Sequence, residues 1–253
     1  MSLFDRSPVE LIKSFAKDGS VGAGDLKKGD RLTPERAVET MHTLRKNGFN
    51  GRPIEDWQES LKQVLEAHPQ GAPLFVFGYG SLMWNPMIPH QGMLPARITQ
   101  YARSFCMNVT FGRGSDDHPG LMLALDEIGG DEMEGDGTPC WGRLIAVAPE
   151  DVEHAYCLLW IREMGGDGYV FRHLDAETED GPIAAITFTV NRKGDRYLGH
   201  LPLTDQARRI AHAEGILGTN FDYLKNLMDE MGKLEIDDPY LTALWTAVER
   251  ERG

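Results

Sequence analysis

The sequence predicts an α+β fold: a small, mostly antiparallel β-barrel with flanking and C-terminal helices. Apolar runs of strand length follow one another from residue 74 without regular β–α alternation, and amphipathic helical patterns close the chain. The composition also breaks at His68-Pro69-Gln70-Gly71-Ala72-Pro73, a stretch that reads as a linker. Residues 1–70 hold 11 basic and 11 acidic side chains, so the whole formal net charge of −13 lies beyond them. The chain therefore divides into a helical N-terminal extension, residues 1–72, packed on the core, and a principal domain, residues 73–253.

Each element has its own signal. Val9 to Lys17 reads as a turn or helix, followed by the glycine- and charge-rich Gly19 to Asp30. Thr33-Pro34-Glu35 supplies an N-cap and a first-turn proline ahead of Ala37, Val38, Met41 and Leu44 on one helical face. Trp57, Leu61, Val64 and Leu65 make a second such face, stopped by Pro69. Leu74 to Phe77, Ala102 to Phe111, Leu121 to Leu125 and Cys140 to Val147 are predicted strands. Pro149-Glu150-Asp151 starts a helix that ends near Trp160, and Tyr169 to Leu174 and Ile183 to Val190 resume strand character. Helices are predicted from Thr204 to Leu217, from Asn220 to Met231 with Gly232 as C-terminal cap, and from Asp238-Pro239 to Glu249.

Composition excludes several classes of function. With 253 residues, 41% of them hydrophobic, the chain can fill a real core. The −13 charge disfavours nucleic-acid and anionic-membrane partners. No apolar run reaches the ~18 residues of a membrane span, and the N-terminus lacks signal-peptide order. Three cysteines without paired spacing point to a reducing compartment, so a cytoplasmic protein is expected. The eight histidines show no ligand spacing, so neither metal nor other cofactor is expected. The acidic run from Asp126 to Asp136 reads as a solvated loop.

The densest motif is Phe77-Gly78-Tyr79-Gly80-Ser81-Leu82-Met83-Trp84-Asn85-Pro86. A strand running into two glycines exposes backbone N–H groups that can hold an anion, although a tight turn uses the same residues. A dinucleotide fingerprint would need glycine at Met83, and a nucleophile elbow would need glycines at Tyr79 and Met83, so Ser81 is not read as a nucleophile. Arg162-Glu163 follows Leu158 to Ile161 directly and sits where a helix or strand edge gives way to the glycine-rich backbone of Gly165-Gly166. There Glu163 reads either as half of a surface ion pair or as a carboxylate whose pKa burial raises into the range of a general base.

Taken in order, Phe77 to Leu82 with Trp84, Gly112-Arg113-Gly114-Ser115 with Pro119-Gly120, Trp141-Gly142, Arg162-Glu163-Met164 with Tyr169, and Tyr197-Leu198-Gly199 resemble the ChaC family. Gly218-Thr219-Asn220 with Tyr223-Leu224 extends the match, which spans roughly residues 73–231. The resemblance implies a γ-glutamylcyclotransferase-like barrel over residues 73–253. It also implies a glutathione-specific γ-glutamylcyclotransferase, a lyase releasing 5-oxoproline and cysteinylglycine in glutathione catabolism. By position, Tyr79, Gly80, Ser81 and Leu82 would hold the γ-glutamyl group and Glu163 would be the acid/base. Arg113 is the candidate for a substrate carboxylate, and Tyr197 for orienting the amine or the loop; structural roles compete for both. The small molecule glutathione is the expected partner. A cyclotransferase for other γ-glutamyl compounds and a non-catalytic regulator of a cation transporter are the competing readings. The spacing Gly165 to Gly168 departs from the family pattern and leaves the place of Tyr169 open.

Overall fold

The computed structural model describes residues 31–46, 49, 51–128 and 138–253. The expected segments Val9 to Lys17 and Gly19 to Asp30, and most of the acidic run, lie outside them. Two helices come first, α1 (Pro34–Lys46) and α2 (Ile54–Ala67). Thr33 caps α1 as its sequence predicts, its hydroxyl accepting from the Arg36 N–H at 3.4 Å. Strands β1 (Leu74–Gly78), β2 (Gly92–Ile98), β3 (Tyr101–Val109), β4 (Gly120–Glu127) and β5 (Cys140–Val147) follow. Helix α3 (Val152–Leu159) runs on into a π-helical turn, Trp160–Met164, before β6 (Tyr169–Thr178) and β7 (Gly181–Val190).

The sheet order is β1-β5-β2-β6-β7-β4-β3, and a parallel β1–β7 pairing at Val76 and Ile186 closes the first five strands into a small barrel. The Thr187 hydroxyl, fully buried, donates to the Phe77 carbonyl at 2.9 Å beside that closure. Antiparallel pairs dominate, and the α+β barrel is the architecture expected. β2 has no counterpart among the predicted strands because Pro95 interrupts its pattern. Pro95 is tolerated because β2 is paired with β5 along its length but with β6 only at Arg97.

The C-terminal part departs from expectation in two places. Helix α4 (Leu203–His212) stops well short of Leu217, and the chain forms a two-residue hairpin, β8 (Glu214–Gly215) and β9 (Gly218–Thr219). The reason is packing. A Cβ at Gly215 would lie 2.3 Å from the Gly112 carbonyl oxygen, and Gly218 turns at φ 101°. Helix α5 (Asn220–Lys233) passes through Gly232 instead of ending on it, and the positive φ falls at Glu235. Helix α6 (Pro239–Arg252) is capped by Asp238, whose carboxylate accepts from the Leu241 N–H.

Two large apolar clusters result. One joins α1, α2, α3 and the π-turn to one side of the barrel, with Trp57, Tyr156, Trp160 and Phe188 buried in it. The other joins α4, α5 and α6 to the opposite side around Phe77, Phe105 and Tyr223. Cys106, Cys140 and Cys157 are buried and unpaired. Asp126, read as part of a solvated loop, is instead a buried β4 residue that accepts hydrogen bonds from Arg192 and Tyr197. No described helix is long and apolar enough to cross a membrane.

Candidate active site

The site is built at the seam between the two clusters. β1 ends at Gly78, the chain turns through Tyr79 and Gly80, and Ser81–Met83 forms a 3₁₀ turn. A Cβ at Gly80 would stand 2.8 Å from the Tyr223 hydroxyl oxygen and 3.3 Å from Leu123, so only glycine lets that phenol approach. The loop is held at both of its carbonyls. The Tyr79 carbonyl accepts from the Arg103 guanidinium at 3.2 Å, and the Gly80 carbonyl accepts from the Met83 N–H at 2.8 Å. Both peptides are trans, so the N–H groups of Gly80 and Ser81 point away from those acceptors.

Arg103 is itself locked. Its Nε lies 3.2 Å from the Asp238 carboxylate that caps α6, and a second nitrogen donates to the Trp141 carbonyl. The C-terminal helix is thereby tied to the loop.

Glu163 reaches the same place from the other cluster. Tyr79, Gly80, Ser81, Leu82, Leu123, Glu163, Tyr169, Phe188 and Tyr223 line one small cavity of about 20 Å³. The Glu163 side chain retains 13% exposure, enough for a bound molecule to touch it. Burial pushes its pKa above the ordinary carboxylate value, while Arg162, 2.8 Å away, pulls it back. The expected Arg162–Glu163 pair does form, but it is largely buried and its Glu163 end lines the cavity. Arg162 also donates to the Ser81 hydroxyl at 2.6 Å and to the Asn85 carbonyl at 2.5 Å, so one guanidinium bridges the carboxylate and the loop.

Three phenols surround Glu163. The Tyr79 hydroxyl donates to the Phe188 carbonyl and the Tyr169 hydroxyl to the Leu123 carbonyl, each at 2.8 Å. Burial raises the pKa of both well above that of free tyrosine, with the negative charge of Glu163 adding to the effect. Tyr223 is pushed up to about 12 for the same reasons, opposed by Arg162 and by hydrogen bonding from Ser81. All three are protonated donors at neutral pH.

Two candidates lie off the cavity lining. Arg113 donates to the Thr219 carbonyl at 3.1 Å, at the start of α5, and burial lowers its pKa. Tyr197 donates to Asp126 at 2.8 Å within a separate network that includes Arg192. Tyr169, whose place the sequence leaves open, stands in the cavity wall. The bridging role of Arg162 and the anchoring role of Arg103 are not anticipated from the sequence, although a lone arginine within the apolar run from Ala102 to Phe111 was a usable signal. A wider depression of about 460 Å³ lies by Leu94, Trp141 and the β6–β7 turn. Its lining carries Glu177, Glu179 and Asp180 against Arg97 alone, a negative balance that disfavours an anion.

Residues 74–251 match the family model described as ChaC-like protein. The chain is 34% identical over 192 residues to the Escherichia coli (strain K12) glutathione-specific gamma-glutamylcyclotransferase, covering 76% of this chain and 79% of that protein. It is 32% identical over 181 residues to human glutathione-specific gamma-glutamylcyclotransferase 1, covering 69% and 78%. A solved yeast γ-glutamyl cyclotransferase specific to glutathione superposes with a TM-score of 0.64 at 21% identity, covering 72% of this chain and 97% of that one.

Proposed function

The chain belongs to the ChaC-like protein family, and we propose that it is a glutathione-specific γ-glutamylcyclotransferase, a lyase that cleaves glutathione to 5-oxoproline and cysteinylglycine. The observation that carries this reading is the single cavity shared by the Tyr79-to-Leu82 loop and Glu163. Relatives named for that activity support the choice of substrate.

The substrate brings its own nucleophile. Its α-amine closes a five-membered lactam on the γ-carbonyl, so no serine or cysteine nucleophile is required. Bending of the γ-glutamyl arm in a confined cavity supplies proximity. Glu163 takes the proton from the attacking nitrogen and returns it to the departing cysteinyl nitrogen as the C–N bond breaks. Burial raises its pKa above the ordinary carboxylate value, which makes it a stronger base for the first step. Backbone N–H groups of the Tyr79-to-Leu82 loop stabilise the tetrahedral oxyanion.

Arg113 and Tyr197 act at a remove in this proposal. Arg113 holds the Thr219 carbonyl at the start of the helix that carries Tyr223, and Tyr197 steadies the outer strands through Asp126. The experiment is chromatographic measurement of 5-oxoproline and cysteinylglycine released from glutathione by purified protein, with γ-glutamyl-alanine in parallel. Release from glutathione alone is expected. Equal or better use of γ-glutamyl-alanine would defeat the glutathione-specific claim, and no release from either would favour a binding protein.

A further inference from the structure

The ChaC-like match begins at residue 74, so α1 and α2 lie outside it. Those helices converge on one short segment. The π-turn Trp160–Met164 and the following glycines end a helix, and the last carbonyls of a helix have no partner within it. A surface helix would leave them to water or to a glycine cap. Here the extension supplies the donors. The Trp57 indole N–H donates to the Trp160 carbonyl at 3.0 Å, and the Trp160 indole N–H donates back to the Ser60 hydroxyl at 2.9 Å. Arg45 reaches the Gly165 carbonyl at 3.4 Å, and Arg52 donates to the Tyr169 carbonyl at 3.1 Å.

Packing reinforces these bonds. A Cβ at Gly51 would lie 2.3 Å from the Gly165 carbonyl oxygen, and a Cβ at Gly165 would lie 3.3 Å from the Met41 methyl carbon and 3.5 Å from Phe49. Trp57 and Met41 are fully buried against this segment. The three braced carbonyls, at Trp160, Gly165 and Tyr169, bracket Glu163, and Tyr169 faces it across the cavity.

We propose that α1 and α2, with Phe49, Gly51 and Arg52 between them, form a built-in brace whose task is to position Glu163 and Tyr169: the extension caps the turn that carries the acid/base. Residues such as Gly51 and Trp57 are positioning residues, because they act through the turn and touch no substrate. The proposal rests on the reaction assigned above, and its test separates the two.

The test uses the full chain with Gly51→Ala, which drives a methyl group into the Gly165 carbonyl, and Trp57→Phe, which keeps the ring but removes its donor. Hydrogen exchange by mass spectrometry reads the brace without any assay of activity. Exchange at residues 160–169 is expected to quicken at least about tenfold while the barrel strands stay unchanged. In the kinetic arm, Gly51→Ala is expected to lower kcat by about 10–100-fold, with KM for glutathione within about threefold and the acid limb of the pH profile displaced. Trp57→Phe is expected to do the same more weakly, and it decides the matter if Gly51→Ala does not fold. Unchanged exchange at 160–169 would overturn the brace. Faster exchange with unaltered kcat and pH profile would overturn the positioning role. An inactive parent protein would remove the assigned reaction, and the exchange result would still decide whether the brace exists.

Discussion

The two sides of the cavity are held in different ways. Glu163 stands on a π-turn tuned by its own neighbour Arg162, and its support comes from the turn's carbonyl partners on α1, α2 and the loop between them. The Tyr79-to-Leu82 loop is fixed by its carbonyls, one to a nearby amide and one to a buried arginine anchored at the opposite end of the chain. In the proposed reaction the first side sets a titration and the second sets the direction of two amide dipoles. Damage to the first side therefore moves the pH profile, whereas damage to the second lowers kcat and leaves the profile in place.

The largest test of this division is Glu163→Gln, expected to cut 5-oxoproline release by about 10²–10⁴-fold, the usual worth of general acid–base catalysis. Residual release above a few per cent of the parent rate would remove Glu163 from that role. On the loop side, Gly80→Ala forces a methyl group against Tyr223 and Leu123 and displaces the amides proposed to meet the oxyanion. A loss of about 10²–10³-fold in kcat is expected, since that is the cost of one oxyanion donor. An unaltered kcat would show that these amides do not meet the developing charge.

Arg103→Lys keeps the charge beside Asp238 but loses the fork that also holds the Tyr79 and Trp141 carbonyls. We expect about a tenfold fall in kcat with the acid limb of the pH profile unmoved. A shifted limb would merge the two sides into one. Arg162→Gln tests the opposite side. Because Arg162 lowers the Glu163 pKa against burial, its loss lets that pKa rise, and the acid limb of kcat/KM moves to higher pH. Movement to lower pH, or none, would break the assignment.

The smallest expected effect is on stability. Burial raises the folded pKa of Glu163 above its unfolded value, so the stability it contributes is complete below the unfolded pKa and is lost as pH rises through the folded one. Glu163→Gln therefore holds Tm at neutral pH at or above that of the parent, and the difference closes as the pH is lowered. Calorimetry checks this, and a lower Tm at neutral pH would mean that the Arg162 pair outweighs burial.

Much of this was legible in the chain. The strand-to-glycine loop, the helix-ending carboxylate and the strands of the barrel rest on local patterns: apolar periodicity, glycine punctuation and an N-cap before a proline. Local pattern misled where a distant contact decided the outcome. β2 is a strand despite Pro95 because β5 pairs with it throughout, and α4 stops at His212 because Gly215 has to pass the Gly112 carbonyl. Asp126 looks solvated in sequence, yet Arg192 and Tyr197 meet it in the fold.

By itself, then, the sequence determined the α+β class and the family resemblance, and it singled out Glu163 and the Tyr79-to-Leu82 loop, which line one cavity. Those depend on residue type and near neighbours. Only the tertiary structure decided that Arg162 bridges Glu163 to Ser81, that Arg103 and Asp238 orient the loop, and that the N-terminal helices serve the turn bearing Glu163. A side chain's partner across 24 or 103 residues is set by strand register and helix packing, which no local spacing encodes.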